Sequence, residues 1–196
     1  MKIVLLLVSM CGFARAQQHE IGLTLGGLAK QDRAGLSLGS GLALQANYGY
    51  RLVDAKVAVL YGEVHLLTNP QRVVSSADPS VTRDIATLYV TPGVRLKFLP
   101  HSRLSPFIAA GAGYAQYEQS TFILSGVANR APRNVFHGAL DYGGGVDLRG
   151  WWPWLGFRAE VRDFYTGSPA FNSRLIEGGQ HNVVAGGGLV LRFGRQ

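Results

Sequence analysis

Charged side chains recur at every second position of LGFRAEVRDF, residues 155–164, where Arg158, Glu160 and Arg162 alternate with Phe157, Ala159 and Val161. A period of two is that of an extended strand with unlike faces. Glu63, Arg95 and Asp147 sit on the polar face of similar segments elsewhere in the chain. If these faces share an interior, the charges must pair, because a lone ion in a low-dielectric medium is very costly. Asp147 and Arg158 fall on adjacent predicted strands near a shared turn and are the first candidate pair. The network either fills the interior, which is the expectation, or switches to gate a small pore.

Catalytic chemistry finds less support. A serine hydrolase needs a histidine to activate the nucleophile and a carboxylate to orient it. The histidines are His19, His65, His101, His137 and His181, and none has serine two residues later. His137 with Asp141 is predicted to face the interior, and His101-Ser102 to lie in a turn. The spacing of His, Asp and Glu does not suggest a metal site. The expectation is a protein that is not an enzyme and has no cofactor.

The N-terminus reads as an export signal. Lys2 precedes the apolar run Ile3–Met10, too short to span a bilayer, and Ala14-Arg15-Ala16 fits a cleavage site. Residues 1–16 are therefore predicted to be a signal peptide and 17–196 one domain. Cys11, the only cysteine, lies within the signal, so the exported chain is expected to lack disulfides and thiol chemistry. The formal charge of +7 becomes +5 without Lys2 and Arg15. No basic run suggests nucleic acid.

After residue 16 the sequence predicts eight strands: Glu20–Leu28, Gly41–Leu52, Ala55–Leu67, Asp84–Phe98, Leu104–Glu118, Phe136–Arg149, Trp154–Tyr165 and Asn182–Phe193. Each is near or above the roughly 9–11 residues with which a tilted strand crosses a bilayer. Long polar connections (Ala29–Ser40, Thr68–Arg83, Gln119–Val135, Thr166–His181) alternate with short ones (Leu52–Ala55, Phe98–Leu104, Gly150–Pro153). That alternation predicts an all-β, eight-stranded antiparallel up-and-down transmembrane barrel, with short periplasmic turns and longer outer loops. The apolar faces would then meet lipid and the charged ones the lumen. A soluble, secreted, lipocalin-like ligand-binding barrel would reverse the faces.

Trp151, Trp152 and Trp154 cluster at a predicted periplasmic turn and suggest an aromatic girdle. Arg51, Lys97, Arg149 and Arg192 end the descending strands and suggest a basic ring. In the third outer loop, Phe122-Ile123-Leu124 would either present an apolar contact or extend the fifth strand.

PFIAAGAGYA (106–115), YGGGVDLR (142–149), GFRAEVRDF (156–164) and GGGLVLRF (186–193) together resemble the eight-stranded outer-membrane β-barrel family of the OmpA-like transmembrane-domain type. The resemblance implies a Gram-negative outer-membrane location among lipids and lipopolysaccharide, and a monomer. It also implies delivery by periplasmic chaperones to the barrel-assembly machinery. Gly188, Leu189, Leu191 and Phe193 resemble the assembly signal of that family. They depart from it in having Leu191 in place of a second aromatic and in the residues that follow Phe193. With only three residues after Phe193, a wall-anchoring role is not expected. The expected role is structural or surface interaction through the outer loops, with a narrow solute channel as the alternative.

Overall fold

The computed structural model describes residues 18–33, 35–167 and 179–194, so the predicted signal peptide lies outside the described residues. Its strands are β1 (His19–Leu28), β2 (Gln31–Arg33), β3 (Leu36–Leu38), β4 (Gly41–Asp54), β5 (Ala58–Ser76), β6 (Asp84–Phe98), β7 (Leu104–Gln119), β8 (Asn134–Arg149), β9 (Leu155–Thr166) and β10 (Gln180–Phe193).

β1 and β4–β10 form one antiparallel ring, closed because β1 pairs with both β4 and β10 while β5 pairs with β6. Closure leaves no free edge, as hydrocarbon requires, because lipid satisfies no open backbone donor. The side chains alternate as the sequence predicts. Leu23, Leu25, Leu44, Val64, Val94, Ile108, Leu140, Phe157, Val161 and Leu189 lie exposed on the outer wall. Gln45, Asn47, Glu63, Arg95, Asp147 and Arg158 are buried inside. This is the reverse of a soluble barrel, so the lipocalin-like alternative falls.

The differences from the predicted elements are local. β2 and β3 pair as a short hairpin within the first outer loop, and β3 docks on the end of β5. β5 runs to Ser76, well beyond the predicted Leu67, because a register shift between Asn69 and Arg72 lets it keep pairing with β6. The first turn falls after Asp54 rather than at Leu52, since a shift between Arg51 and Val53 carries β4 onward. Trp154 stands just outside β9.

Candidate functional site

The lower lumen is occupied by charge. Arg95, on β6, reaches Glu63 on β5 through Nε at 2.5 Å and Glu20 on β1 through Nη2 at 2.8 Å. Arg158 grips Asp147 with both arms of its fork, Nε at 2.7 Å and Nη2 at 3.0 Å, and donates Nη1 to Asn47 at 2.9 Å. Arg162 contacts Asp141 at 2.7 Å, Glu160 at 3.3 Å and Glu63 through a short bond from Nη2. Lys97 bridges Glu20 at 2.6 Å and Asp147 at 2.7 Å. These groups are almost wholly enclosed, with Arg95 at 0% exposure. Each cation therefore faces at least one carboxylate, the condition for burying it.

The barrel thus brings together the six residues singled out from the sequence: Glu63, Arg95, Asp147, Arg158, Glu160 and Arg162. Sequence reasoning did not assign Glu20, Lys97 or Asp141 to the network, although it placed Asp141 in the interior and Lys97 in the basic ring. Glu20 follows the same alternation as the others and was legible from it. Lys97 has two settings. It lines the mouth with Arg51, Arg149 and Arg192 as the basic ring predicted, and it also belongs to the network, because Glu20 near the lower end of β1 draws the ammonium inward.

Glycines make room for the long side chains. A Cβ on Gly49 would stand 2.8 Å from Arg95 Nη2. A Cβ on Gly143, the cross-strand partner of Arg162, would strike the Val161 carbonyl and stand 2.9 Å from Arg162 Cγ.

Above the charges the lumen becomes apolar. Tyr89, Tyr117, Phe164, Leu67, Val184, Leu28 and Ile85 form a core with Leu36 and Leu38 of the β2–β3 hairpin and Val81 of the second loop. Tyr117 Oη lies 2.6 Å from Thr166 Oγ1 and 3.2 Å from Tyr89 Oη. Arg72, also missed from the sequence, is buried beside this core. It donates to the carbonyls of Gly39 and Ala29, each at 2.6 Å, and to Asn182 Oδ1 at 2.9 Å. The hairpin is thereby tied over the mouth, and the charged layer lies below a hydrophobic stopper.

The mouth at the short-turn end opens into a vestibule of about 550 Å³, lined by Arg51, Lys97, Arg149 and Arg192 together with Glu20 and Asp54. Arg51 is held by Asp54 at 2.5 Å and Arg192 by Glu20 at 3.2 Å, while Arg149 remains exposed. Trp151, Trp152 and Trp154 are exposed at this end, with Trp152 and Trp154 stacked at 5.7 Å. His19 joins Tyr48, Tyr50 and Phe193 on the wall nearby, with centroids 5.3–5.9 Å apart. Of the residues likened to an assembly signal, Leu189 and Phe193 point outward, and Gly188 pairs with Thr24 of β1.

At the outer end, Phe122-Ile123-Leu124 does not prolong β7. The segment folds back on itself through a turn at Gly126, whose φ is +82°, and bridges to Thr82. Leu124 packs against the stopper, while Phe122 and Val127 stay exposed. Arg83 faces Asp84 and Arg133 faces Glu118, so the charges around them are mixed. Asp78 receives the hydroxyl and backbone N–H of Ser80, which hold its carboxyl below the usual range.

On the outer wall Asp163 accepts from Tyr142 Oη at 2.7 Å, lies 2.6 Å from His181 Nδ1, and accepts the Asn182 N–H at 3.1 Å. The sequence suggested no role for it. These partners satisfy a carboxylate that would otherwise be stranded near the top of the apolar belt.

No protein-family model and no curated protein matches this sequence. Solved structures do match. Neisserial surface protein A (NspA) superposes with a TM-score of 0.56 at 14% identity, over 92% of this chain and 100% of that one. OprG from Pseudomonas aeruginosa gives 0.56 at 15%, over 91% and 97%. Ail, the attachment invasion locus protein of Yersinia pestis, solved in complex with the heparin analogue sucrose octasulfate, gives 0.50 at 16%, over 89% and 99%. At these identities the likeness is one of fold, and it joins the closed ring, the apolar outer wall and the charged lumen: the chain has the eight-stranded transmembrane β-barrel fold of these outer-membrane proteins.

Proposed function

We propose that this barrel is a non-enzymatic surface-interaction protein whose working part is its outer end. The observation that carries this reading is the filled lumen: paired charges below, an apolar stopper above and the β2–β3 hairpin tied across it by Arg72. A solute would have to break several charge-assisted bonds to pass, which argues against the channel alternative. What remains available for recognition among the described residues is the surface built by β2–β3, the upper part of β5 and the folded-back 119–134 segment.

That surface combines exposed Phe122 and Val127 with neighbouring charges of both signs. An apolar centre with a polar rim suits a protein partner. Ail was solved with a sulfated polyanion, but here Arg83 and Arg133 already face carboxylates, which favours a protein over a polyanion. On this reading, lipid and lipopolysaccharide surround the wall. The closing strand, with Gly188, Leu189, Leu191 and Phe193, is what the assembly machinery engages after chaperone delivery.

Expression at the surface of a non-adherent Gram-negative host, followed by counting bacteria bound to epithelial monolayers, tests the proposal. Adherence above the empty strain, reduced by the joint substitutions Phe122→Ser and Val127→Ser, is the expected result. No gain in adherence, together with stepwise conductance of the purified protein in planar bilayers, would replace the proposal with the channel.

A further inference from the structure

The periplasmic rim holds Arg103 and Arg149, neither of which faces a carboxylate among the described residues. Arg149 donates Nη2 to the Pro100 carbonyl at 3.3 Å, and its backbone N–H bonds the Arg103 carbonyl at 2.9 Å. This backbone bond sets the residues opposite each other, just beyond the Leu104–Leu148 pair that ends the β7–β8 ladder. Like charges facing across a strand pair repel. Elsewhere on the rim Arg51 and Arg192 have Asp54 and Glu20 as counter-ions. An anion from outside the chain would supply what this pair lacks.

The surroundings indicate which anion. Arg103 and Arg149 head a groove of about 490 Å³ on the wall, completed by Leu148, Gly150, Trp151 and Phe157, with Arg149 standing at the rim between this groove and the vestibule. Leu148 and Phe157 are cross-strand partners on the lipid-facing wall. Trp151 is 89% exposed, an arrangement suited to the membrane–water boundary. A groove cationic at the boundary and apolar below it matches a molecule with a phosphate head and a hydrocarbon tail. The guanidinium fork suits phosphate oxygens better than a point charge does.

We propose that this groove binds an anionic glycerophospholipid of the periplasmic leaflet, with its phosphate bridging Arg103 and Arg149 and an acyl chain along Leu148 and Phe157 beneath Trp151. A lipid with net negative charge is favoured because the pair of guanidiniums faces no carboxylate among the described residues. The site is independent of whatever the outer loops recognise.

The test uses the full chain folded in neutral detergent, with retained lipid counted by native mass spectrometry. Phosphatidylglycerol is expected to be retained over phosphatidylcholine of the same chain length. Arg103→Gln with Arg149→Gln is expected to lower phosphatidylglycerol retention by about tenfold. Phe157→Ala is expected to lower it as well, and each variant is checked for folding by unboiled gel mobility. Equal retention of both lipids, or unchanged retention in the double variant, overturns the proposal. Displacement of the lipid by equimolar inorganic phosphate reassigns the site to a free oxoanion and overturns the lipid. A second measurement needs no variant: brominated phosphatidylglycerol should quench tryptophan fluorescence more than its brominated phosphatidylcholine counterpart, and equal quenching counts against the site.

Discussion

Arg95 is the residue on which the lumen turns. Its guanidinium serves Glu63 and Glu20 and stands 4.6 Å from the Tyr61 ring centroid and 5.5 Å from that of Phe107. Arg95→Gln would take one cation from both Glu63 and Glu20, leaving them to Arg162 and to Lys97 and Arg192, and breaking a buried pair from one side costs about 3–5 kcal/mol. Urea unfolding in lipid vesicles, followed by the gel mobility of the folded band, should show that loss. A loss below about 1 kcal/mol would mean that water already screens the network. Gly49→Ala acts on the same guanidinium from the other side, since its methyl would crowd Nη2, and overpacking of this kind costs roughly 1–3 kcal/mol. Membership of the network was readable from the alternation, and the Asp147–Arg158 pair from the turn between their strands. The pairings of Arg162 with Glu63 and of Arg158 with Asn47 were not. They span 99 and 111 residues and depend on where the ring closes.

The β2–β3 hairpin is the element that separates a stoppered barrel from an open one. It is only three residues a side, so its own ladder cannot hold it. It stays because Leu36 and Leu38 are buried in the stopper and because β3 pairs with β5. Replacing both leucines by serine should release the hairpin without unfolding the ring. Amide exchange at residues 36–38 should then rise by orders of magnitude while β8 and β9 stay protected. Faster exchange throughout the ring would show instead that the stopper holds the barrel together. The hairpin was hidden in a segment that read as a polar loop, because strands this short have no measurable period. The extension of β5 was hidden for a related reason. Thr68-Asn69-Pro70-Gln71 interrupts the apolar alternation, and pairing resumes beyond a register shift that only the partner strand reveals. Arg72 went unnoticed with it, since its burial follows from that resumed pairing.

At the scale of the whole molecule, the alternation of loop lengths and the apolar wall make one joint claim about orientation. The turns at 55–57, 99–103 and 150–154 share an end with the tryptophans, while the β2–β3 hairpin, residues 77–83 and the 119–134 segment share the other. In this family of folds the short turns lie on the periplasmic side. Paired cysteine substitutions check it on intact cells. Asp78→Cys stands in the second outer loop and Lys56→Cys in the first short turn, and both positions are exposed or partly so. A membrane-impermeant maleimide should label Asp78→Cys on whole cells and Lys56→Cys only after the outer membrane is opened. The unsubstituted chain is the control, because any Cys11 retained after export would label alike in all samples. Labelling of Lys56→Cys on intact cells would invert the barrel. The mixed surface around Phe122 would then face the periplasm and Arg103 and Arg149 the outer leaflet, where a phosphate-bearing lipid would have to be lipopolysaccharide.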